Sequence, residues 1–346
     1  MKRWAVCLLF ILLPMLALAE PQTPYGQGLS VRYSALPTEQ QALVDLLYEA
    51  AQAHEEKVTV PEGTKYDDLS AAHDFLAEEY PELIALRSEA TLYYYRNKPE
   101  EATDILMEYT MTAEEEQSIL EDLFGTAQRM VDSAPTENLF ERELYLHDAL
   151  CDLVTYDLTT YSNSTAAVAL LEGKATCEGY TRAMTLLCRM AGIPCSFVSG
   201  TDKESGESHA WNVLLLDGTA CYTDVTWDDG SDSETVHWFF NLSEEQLAQT
   251  HDMTTAIDLP SDDRWEYHRV QGLVVDDDHS AVDGLKTAFT TGTDWSLRFT
   301  SQEAYEQFLT ELLDVLDEAR ASVGLEPLNS IGYLVEDRAW CCLLYE

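Results

Sequence analysis

The sequence predicts an α+β protein, and three observations along its 346 residues carry that class. Apolar residues recur at helical spacing through most of residues 20–135, interrupted by one pair of β-rich runs. Residues 136–260 begin with helical periodicity and pass into a series of strand-like runs. Residues 295–346 read strand, helix, strand, strand. Helices and strands gathered in separate runs, rather than alternating, mark α+β architecture.

Residues 1–19 have the pattern of an export signal. Lys2 and Arg3 precede an apolar run from Trp4 to Leu18, and Ala17-Leu18-Ala19 stands before Glu20. The run is short for a membrane span, and no later segment is apolar enough for one. The expectation is a secreted or extracytoplasmic, envelope-associated chain.

A Pro- and Gly-bearing stretch runs to Pro37. Thr38 can cap a helix to about Ala53, and a second helix is expected from about Asp67 to Glu79, stopped by Pro81. The runs 90–95 and 105–110, separated by Asn97, Lys98 and Pro99, predict a β-hairpin. Tyr93, Tyr94 and Tyr95 are read as strand packing rather than a stacking surface. Thr112 and Glu115 form a capping-box pattern opening a helix to about Asp132. These elements make up an N-terminal, mainly helical region, 20–135.

In residues 136–260, helices are expected at about 137–153, 166–171 and 177–191. Four strands should follow: 195–199, 208–216, 219–227 and 236–240. Residues 261–294, rich in Asp and small residues, are read as an acidic linker. Residues 295–346 then form a small C-terminal β-α-β-β unit.

Lys and Arg total 20 against 63 Asp and Glu, a net charge of −43. A surface this acidic repels nucleic acid and anionic lipid. Eight cysteines occur, one of them Cys7 in the signal. Cys151, Cys188, Cys195, Cys221, Cys341 and Cys342 mostly sit in apolar segments, as small buried hydrophobes do. Cys-x-x-Cys and His-Glu-x-x-His spacings are absent, so no metal or other cofactor is called for. Asp228-Asp229-Gly230-Ser231-Asp232 misses EF-hand spacing, since Val225 would hold the first ligand position; it reads as a solvated loop. Asn163-Ser164-Thr165 and Asn241-Leu242-Ser243 are glycosylation sequons, meaningful only in a eukaryotic secretory host.

The chemistry gathers on Cys177, His209 and Asp224, spaced by 32 and 15 residues. Cys177 opens a predicted helix, where unpaired N–H groups and the helix dipole favour a thiolate and can stabilise an oxyanion. Cys188 lies 11 residues on, roughly 16 Å along the axis, too far to take part. Asp217-Gly218 predicts a two-residue hairpin loop, so Leu216 opposes Thr219 and Asp224 falls opposite Trp211. His209 and Asp224 then share a sheet face as diagonal neighbours, with Cα atoms roughly 7–8 Å apart. Cys221 faces the other side by alternation. His54, His73, His147, His237, His251, His268 and His279 show no partner pattern.

Thr176-Cys177-Glu178-Gly179-Tyr180, His209-Ala210-Trp211-Asn212 and Asp224-Val225-Thr226-Trp227-Asp228 together resemble the bacterial transglutaminase-like family of the papain-fold superfamily. Leu186-Leu187, Gly192-Ile193-Pro194 and Ser199-Gly200 add to the likeness. It spans roughly residues 137–255 and implies a Cys-bearing helix packed on an antiparallel sheet. It also implies Cys177 as nucleophile, His209 as general base and acid, and Asp224 as orienter, with Tyr156 as the candidate oxyanion donor. Trp211 and Trp227 flank the triad, as core packing or as walls of an acyl tunnel.

The implied activity is thioester-forming acyl transfer on amide bonds of proteins or envelope peptides. The substrate would be a glutamine amide or a peptide bond, and water or an amine would accept the acyl group. The rival reading is a non-catalytic binding or envelope-interaction module retaining the fold, suggested by the long flanking regions.

Overall fold

The computed structural model describes residues 23, 24, 26, 28–159, 164–230, 235–254, 257–276, 278–291, 295–327 and 331–345. The expected export signal, Asn163 of the first sequon, and Ser231 and Asp232 lie outside them.

The N-terminal region contains α1 (Thr38–Gln52), β1 (Lys57–Thr59), α2 (Tyr66–Glu79), β2 (Leu86–Tyr95) and β3 (Lys98–Tyr109). The strands order as β1-β3-β2, so the expected hairpin gains a third strand. Val44, Leu47 and Ala51 of α1 meet Leu69, Ala72 and Leu76 of α2 over Ile105 and Met107 of β3. These are the i, i+3 and i+4 apolar positions of amphipathic helices. Thr38 is the first helical residue, not the cap; Pro37 takes that place without a side-chain bond. The Tyr93–Tyr95 rings are exposed rather than buried, although Tyr94 meets the edge of Tyr66 at the start of α2.

Next comes α3 (Ala113–Ser133), opened by the Thr112–Glu115 capping box with both reciprocal bonds formed. Its Leu123 and Ala127, one turn apart, pack into the central core. That helix therefore belongs with the central layer rather than with the region ending at 135.

The central part contains α4 (Leu139–Leu153), β4 (Thr155–Tyr156), α5 (Ala166–Glu172), β5 (Lys174–Ala175) and α6 (Cys177–Met190). It continues with β6 (Cys195–Asp202), β7 (Ser208–Leu216), β8 (Thr219–Thr223), α7 (Val225–Asp228), α8 (Glu244–Leu247) and β9 (His251–Met253). The sheet is antiparallel, ordered β8-β7-β6-β9. Ala183, Leu186 and Leu187 of α6 pack between Leu146 and Leu150 of α4 and the sheet residues Leu214, Leu216 and Cys221. Alternation sends Trp211, Val213 and Tyr222 into a second layer with Phe239, Leu242, Cys341 and Leu343.

Two expected strands differ. The 219–227 run ends at Thr223, because Asp224 turns the chain by capping α7. The 236–240 run is irregular. It is buried by its apolar side chains, while its backbone bonds reach Asp224 N–H and the Asp228 carboxylate.

The segment 261–294 is not a linker. It holds α9 (Tyr267–Gln271), β10 (Val274–Val275) and α10 (Asp278–Thr291). Leu273, Val275, Ala281, Leu285 and Ala288 bury against the C-terminal elements, and that apolar spacing outweighs the acidic composition. β11 (Trp295–Phe299), α11 (Gln302–Ser322), β12 (Gly332–Glu336) and β13 (Cys341–Tyr345) complete a sheet ordered β10-β11-β13-β12.

A buried pair ties the N-terminal region to the centre. Arg189 of α6 pairs with the Glu79 carboxylate and donates to the Glu79 carbonyl (2.8 Å), while Ser30 and Ser196 each donate to Glu79 Oε1 at 2.6 Å. The seven described cysteines are all free, and every one except Cys177 is buried.

Candidate active site

Cys177 is the first residue of α6, and Thr176 ahead of it places no side-chain cap on the turn. The leading N–H groups of that turn have no preceding turn to bind. The helix is held at a fixed height against the sheet by Asn212. Its buried Nδ2 donates to the Thr181 carbonyl (3.0 Å) and to Thr185 Oγ1 (2.9 Å), while Thr181 donates to the Cys177 carbonyl (2.8 Å). His209 lies three residues before Asn212, toward the start of β7, and it lines the same cavity as Cys177.

β7 and β8 pair with Leu216 opposite Thr219 and Asn212 opposite Thr223. Asp217 and Gly218 both take positive φ, as a two-residue hairpin of right-handed twist requires. Asp224 follows directly and is fully buried. Its Oδ1 accepts from the backbone N–H of Thr226 (3.0 Å) and Trp227 (3.2 Å), making it the cap of α7. Its Oδ2 lies 2.6 Å from His209 Nε2. The ring's other nitrogen, Nδ1, is thereby left for the thiol, and Cys177 lines the same cavity and interacts with the ring.

The electrostatics follow from that arrangement. Burial works against the charged imidazole, but the Asp224 carboxylate and Cys177 outweigh it and raise His209 to about 10. Burial likewise opposes ionisation of Asp224, yet the His209 charge and bonds from His209 and His251 hold it below the usual carboxylate range. The geometry therefore suits an imidazolium held by the Asp224 carboxylate, with Cys177 on its other side.

Sequence reasoning missed His251. Its Nε2 reaches the same Asp224 oxygen at 3.1 Å, and its Nδ1 lies 2.7 Å from Thr250 Oγ1. No local spacing signals this, because β9 reaches the site only by pairing with β6, His251 opposite Asp202. The one hint was Gly200. A Cβ there would meet the Asp252 carbonyl at 2.1 Å and the Trp211 ring at 2.5 Å.

The two tryptophans differ in role. Trp211 is buried, edge-on to His251, whereas Trp227 is half-buried and stacks on the His209 ring (centroids 5.1 Å apart, 19° between planes). Tyr156 on β4 is half exposed. Burial and the neighbouring Cys177, Glu207 and Asp224 raise its phenol, which keeps it protonated as a donor requires. A cavity of about 850 Å³ opens on one side of His209, lined by Tyr156, Trp227 and the carboxylates of Asp152, Asp202, Glu207 and Asp229. A second, of about 530 Å³, reaches Cys177 from the other side past Glu178, Arg182 and Phe197. The two meet at Ser208 and His209.

Behind the site, histidines read as unpartnered form a second network. His147 Nδ1 and His237 Nε2 both approach Asp148 Oδ1, at 2.9 and 2.8 Å. His147 Nε2 lies 3.3 Å from Asp228, which is fully buried rather than part of a solvated loop. Its Oδ1 accepts from Phe239 N–H (2.9 Å), and Asp229 accepts from Tyr180. His54 pairs with Glu116 and His268 with Glu266. Asn241 of the second sequon is buried, donating to Glu143 Oε2 (2.8 Å). In both His-Asp-His groupings, His147-Asp148-His237 and His209-Asp224-His251, one carboxylate oxygen lies within hydrogen-bond distance of both imidazoles.

An α+β domain in which a helix opens on a cysteine and an antiparallel sheet brings a histidine to it has the architecture of papain-like folds. Residues 125–227 match the family model of the transglutaminase-like superfamily, and the chain carries a domain of that superfamily. It is 32% identical over 104 residues to the kyphoscoliosis peptidase of Mus musculus and 31% identical to that of Homo sapiens. The match covers 27% of this chain and 16% of each relative's length. Among solved structures, one of a TGase is similar with a TM-score of 0.26 at 16% identity, over 43% of this chain and 46% of that one. A protein of Cytophaga hutchinsonii is similar with a TM-score of 0.28 at 16% identity, over 40% of this chain and 61% of that one.

Proposed function

We propose that this chain is an exported, cysteine-dependent acyl-transfer enzyme that cleaves amide bonds of proteins or envelope peptides. The observation that carries the reading is His209, bonded to Asp224 at 2.6 Å and interacting with Cys177, where two cavities meet. The Cys177 thiolate attacks the amide carbonyl, and the oxyanion is met by N–H groups at the head of α6 and by the Tyr156 hydroxyl. His209 gives its proton to the departing nitrogen, leaving a thioester on Cys177. A water entering on the His209 side then loses its proton to the same imidazole and attacks the thioester. Cys177 and a carboxylic acid are released. Asp224 keeps its charge throughout and holds the ring's orientation.

Water as acceptor is favoured by the open, carboxylate-lined cavity beside His209, and the name peptidase of the mammalian relatives agrees with it. Export rests on the pattern of residues 1–19. The test is incubation with glutamine-bearing peptides and a labelled primary amine. Peptide cleavage or ammonia release without amine incorporation is expected. Incorporation of the amine would replace hydrolysis by cross-linking, and no reaction by any peptide, with Cys177 inert, would leave the non-catalytic reading.

A further inference from the structure

The C-terminal unit packs Cys341 and Leu343 behind the site and brings a charged residue to its edge. Arg338 lies in the turn between β12 and β13, and its guanidinium sits over the Trp227 ring, 4.8 Å from the centroid. Trp227 is the ring on which His209 stacks. The same guanidinium pairs with Asp202 (3.1 Å) and Glu204 (3.4 Å), at the end of β6 and in the turn that leads into His209. Its Nε is held in turn by Glu336 at 2.9 Å. One cation thus touches the ring beside the imidazole and the loop before it. A planar guanidinium can do both at once, since its face stacks while its edge donates.

We propose that Arg338 is a positioning residue for His209: by clamping Trp227 and the β6–β7 turn, it gives the C-terminal unit a direct part in setting the imidazole against Asp224 and Cys177. Without it, Asp202 and Glu204 would be left with mutual repulsion at the mouth of the cavity. Trp227, which also packs on Phe239 and His251, would lose the contact on its solvent-side edge of the site. The charged and titratable groups around His209 are Cys177 on α6, Asp224 with His251 behind it, Tyr156 on β4, and Glu207 just ahead on the β6–β7 turn. Arg338 acts on the ring's position through Trp227, not as a direct partner.

Positioning and plain charge predict opposite signs. Removing a cation near His209 would by charge alone raise its titration midpoint. Loosening its bond to Asp224 lowers the midpoint toward that of free histidine. The experiment follows the His209 imidazole by NMR in the full chain, together with the alkylation rate of Cys177 by iodoacetamide. It compares wild type, Arg338→Ala, Arg338→Lys, and Arg269→Ala as a distant control. Arg338→Ala should lower the midpoint by roughly half a pH unit and slow alkylation about two- to fivefold, the size of one partly exposed cation–π contact. Arg338→Lys, which keeps the ion pairs but loses the planar stack, should fall between, and Arg269→Ala should match wild type. An unchanged or raised midpoint in Arg338→Ala overturns the proposal. The turnover consequence rests on the acyl-transfer reading, but the imidazole titration does not. A lowered midpoint in a protein whose Cys177 proves inert would keep the positioning role and sink the enzyme.

Discussion

His209 and His251 share a single oxygen of Asp224, at 2.6 and 3.1 Å. The carboxylate thus accepts from two imidazoles on Oδ2 and from two backbone N–H groups on Oδ1. His251 cannot reach Cys177's proton through this arrangement; it steadies the carboxylate that steadies His209. His251→Phe retains a ring against Trp211 and Trp227 but removes the bond. Turnover should fall about tenfold, the worth of one hydrogen bond to a charged group, with little change in thermal midpoint. Steady-state kinetics on any peptide the wild type cleaves would measure it.

Asp224→Asn separates the two duties of that side chain. Asparagine still caps a helix, so α7 should persist, while loss of the charge paired with His209 should lower the melting midpoint at neutral pH. The charge that orients His209 is lost, and turnover should drop by roughly 10³–10⁴-fold, as when a triad carboxylate becomes an amide. A variant that keeps most of its activity would remove Asp224 from the mechanism.

Stability should decline on the alkaline side. Despite the cost of burial, His209 is raised to about 10 by Asp224 and His147 to about 9 by Asp148 and Asp228. Their folded values lie above that of unfolded histidine, about 6.5, so their contribution is complete below pH ~6.5 and is lost as pH rises through 9 to 10. Glu143, pushed up to about 7 by burial, acts with the same sign between its unfolded value near 4.5 and 7. Urea midpoints should therefore fall from pH 6.5 to 10, and less steeply in His147→Gln.

Much of the site was legible in the sequence because its signals are local. A cysteine at a helix start, a two-residue Asp217-Gly218 loop and an Asp that ends a strand each act within a few residues. The register of β7 on β8 follows from that loop alone. His251, the Arg338–Trp227 contact and the buried state of Asp228 were not legible. Each depends on strands or turns meeting across 27 residues or more, where pairing is decided by tertiary packing. The 261–294 segment departs from the linker its acidic composition predicts, because the apolar residues that α10 buries are interleaved with the charges.

Gly200→Ala tests whether β9 must sit where it does. The added methyl would overlap the Asp252 carbonyl and the Trp211 ring, so β9 must shift and carry His251 with it. The cost should be about 1–3 kcal/mol in urea unfolding, as for overpacked interiors, with a loss of turnover at least as large as in His251→Phe. An unperturbed Gly200→Ala protein would show that β9 tolerates the displacement.

The most direct test of the central claim is the pH dependence of Cys177 alkylation by iodoacetamide, located by mass spectrometry, in wild type and His209→Gln. If Cys177 is a nucleophile activated by His209, it is labelled ahead of the six buried cysteines. Its rate at pH 6.5 should then fall by about a hundredfold in the variant. Equal rates in the two proteins, or labelling of Cys177 no faster than of the buried thiols, would contradict the account.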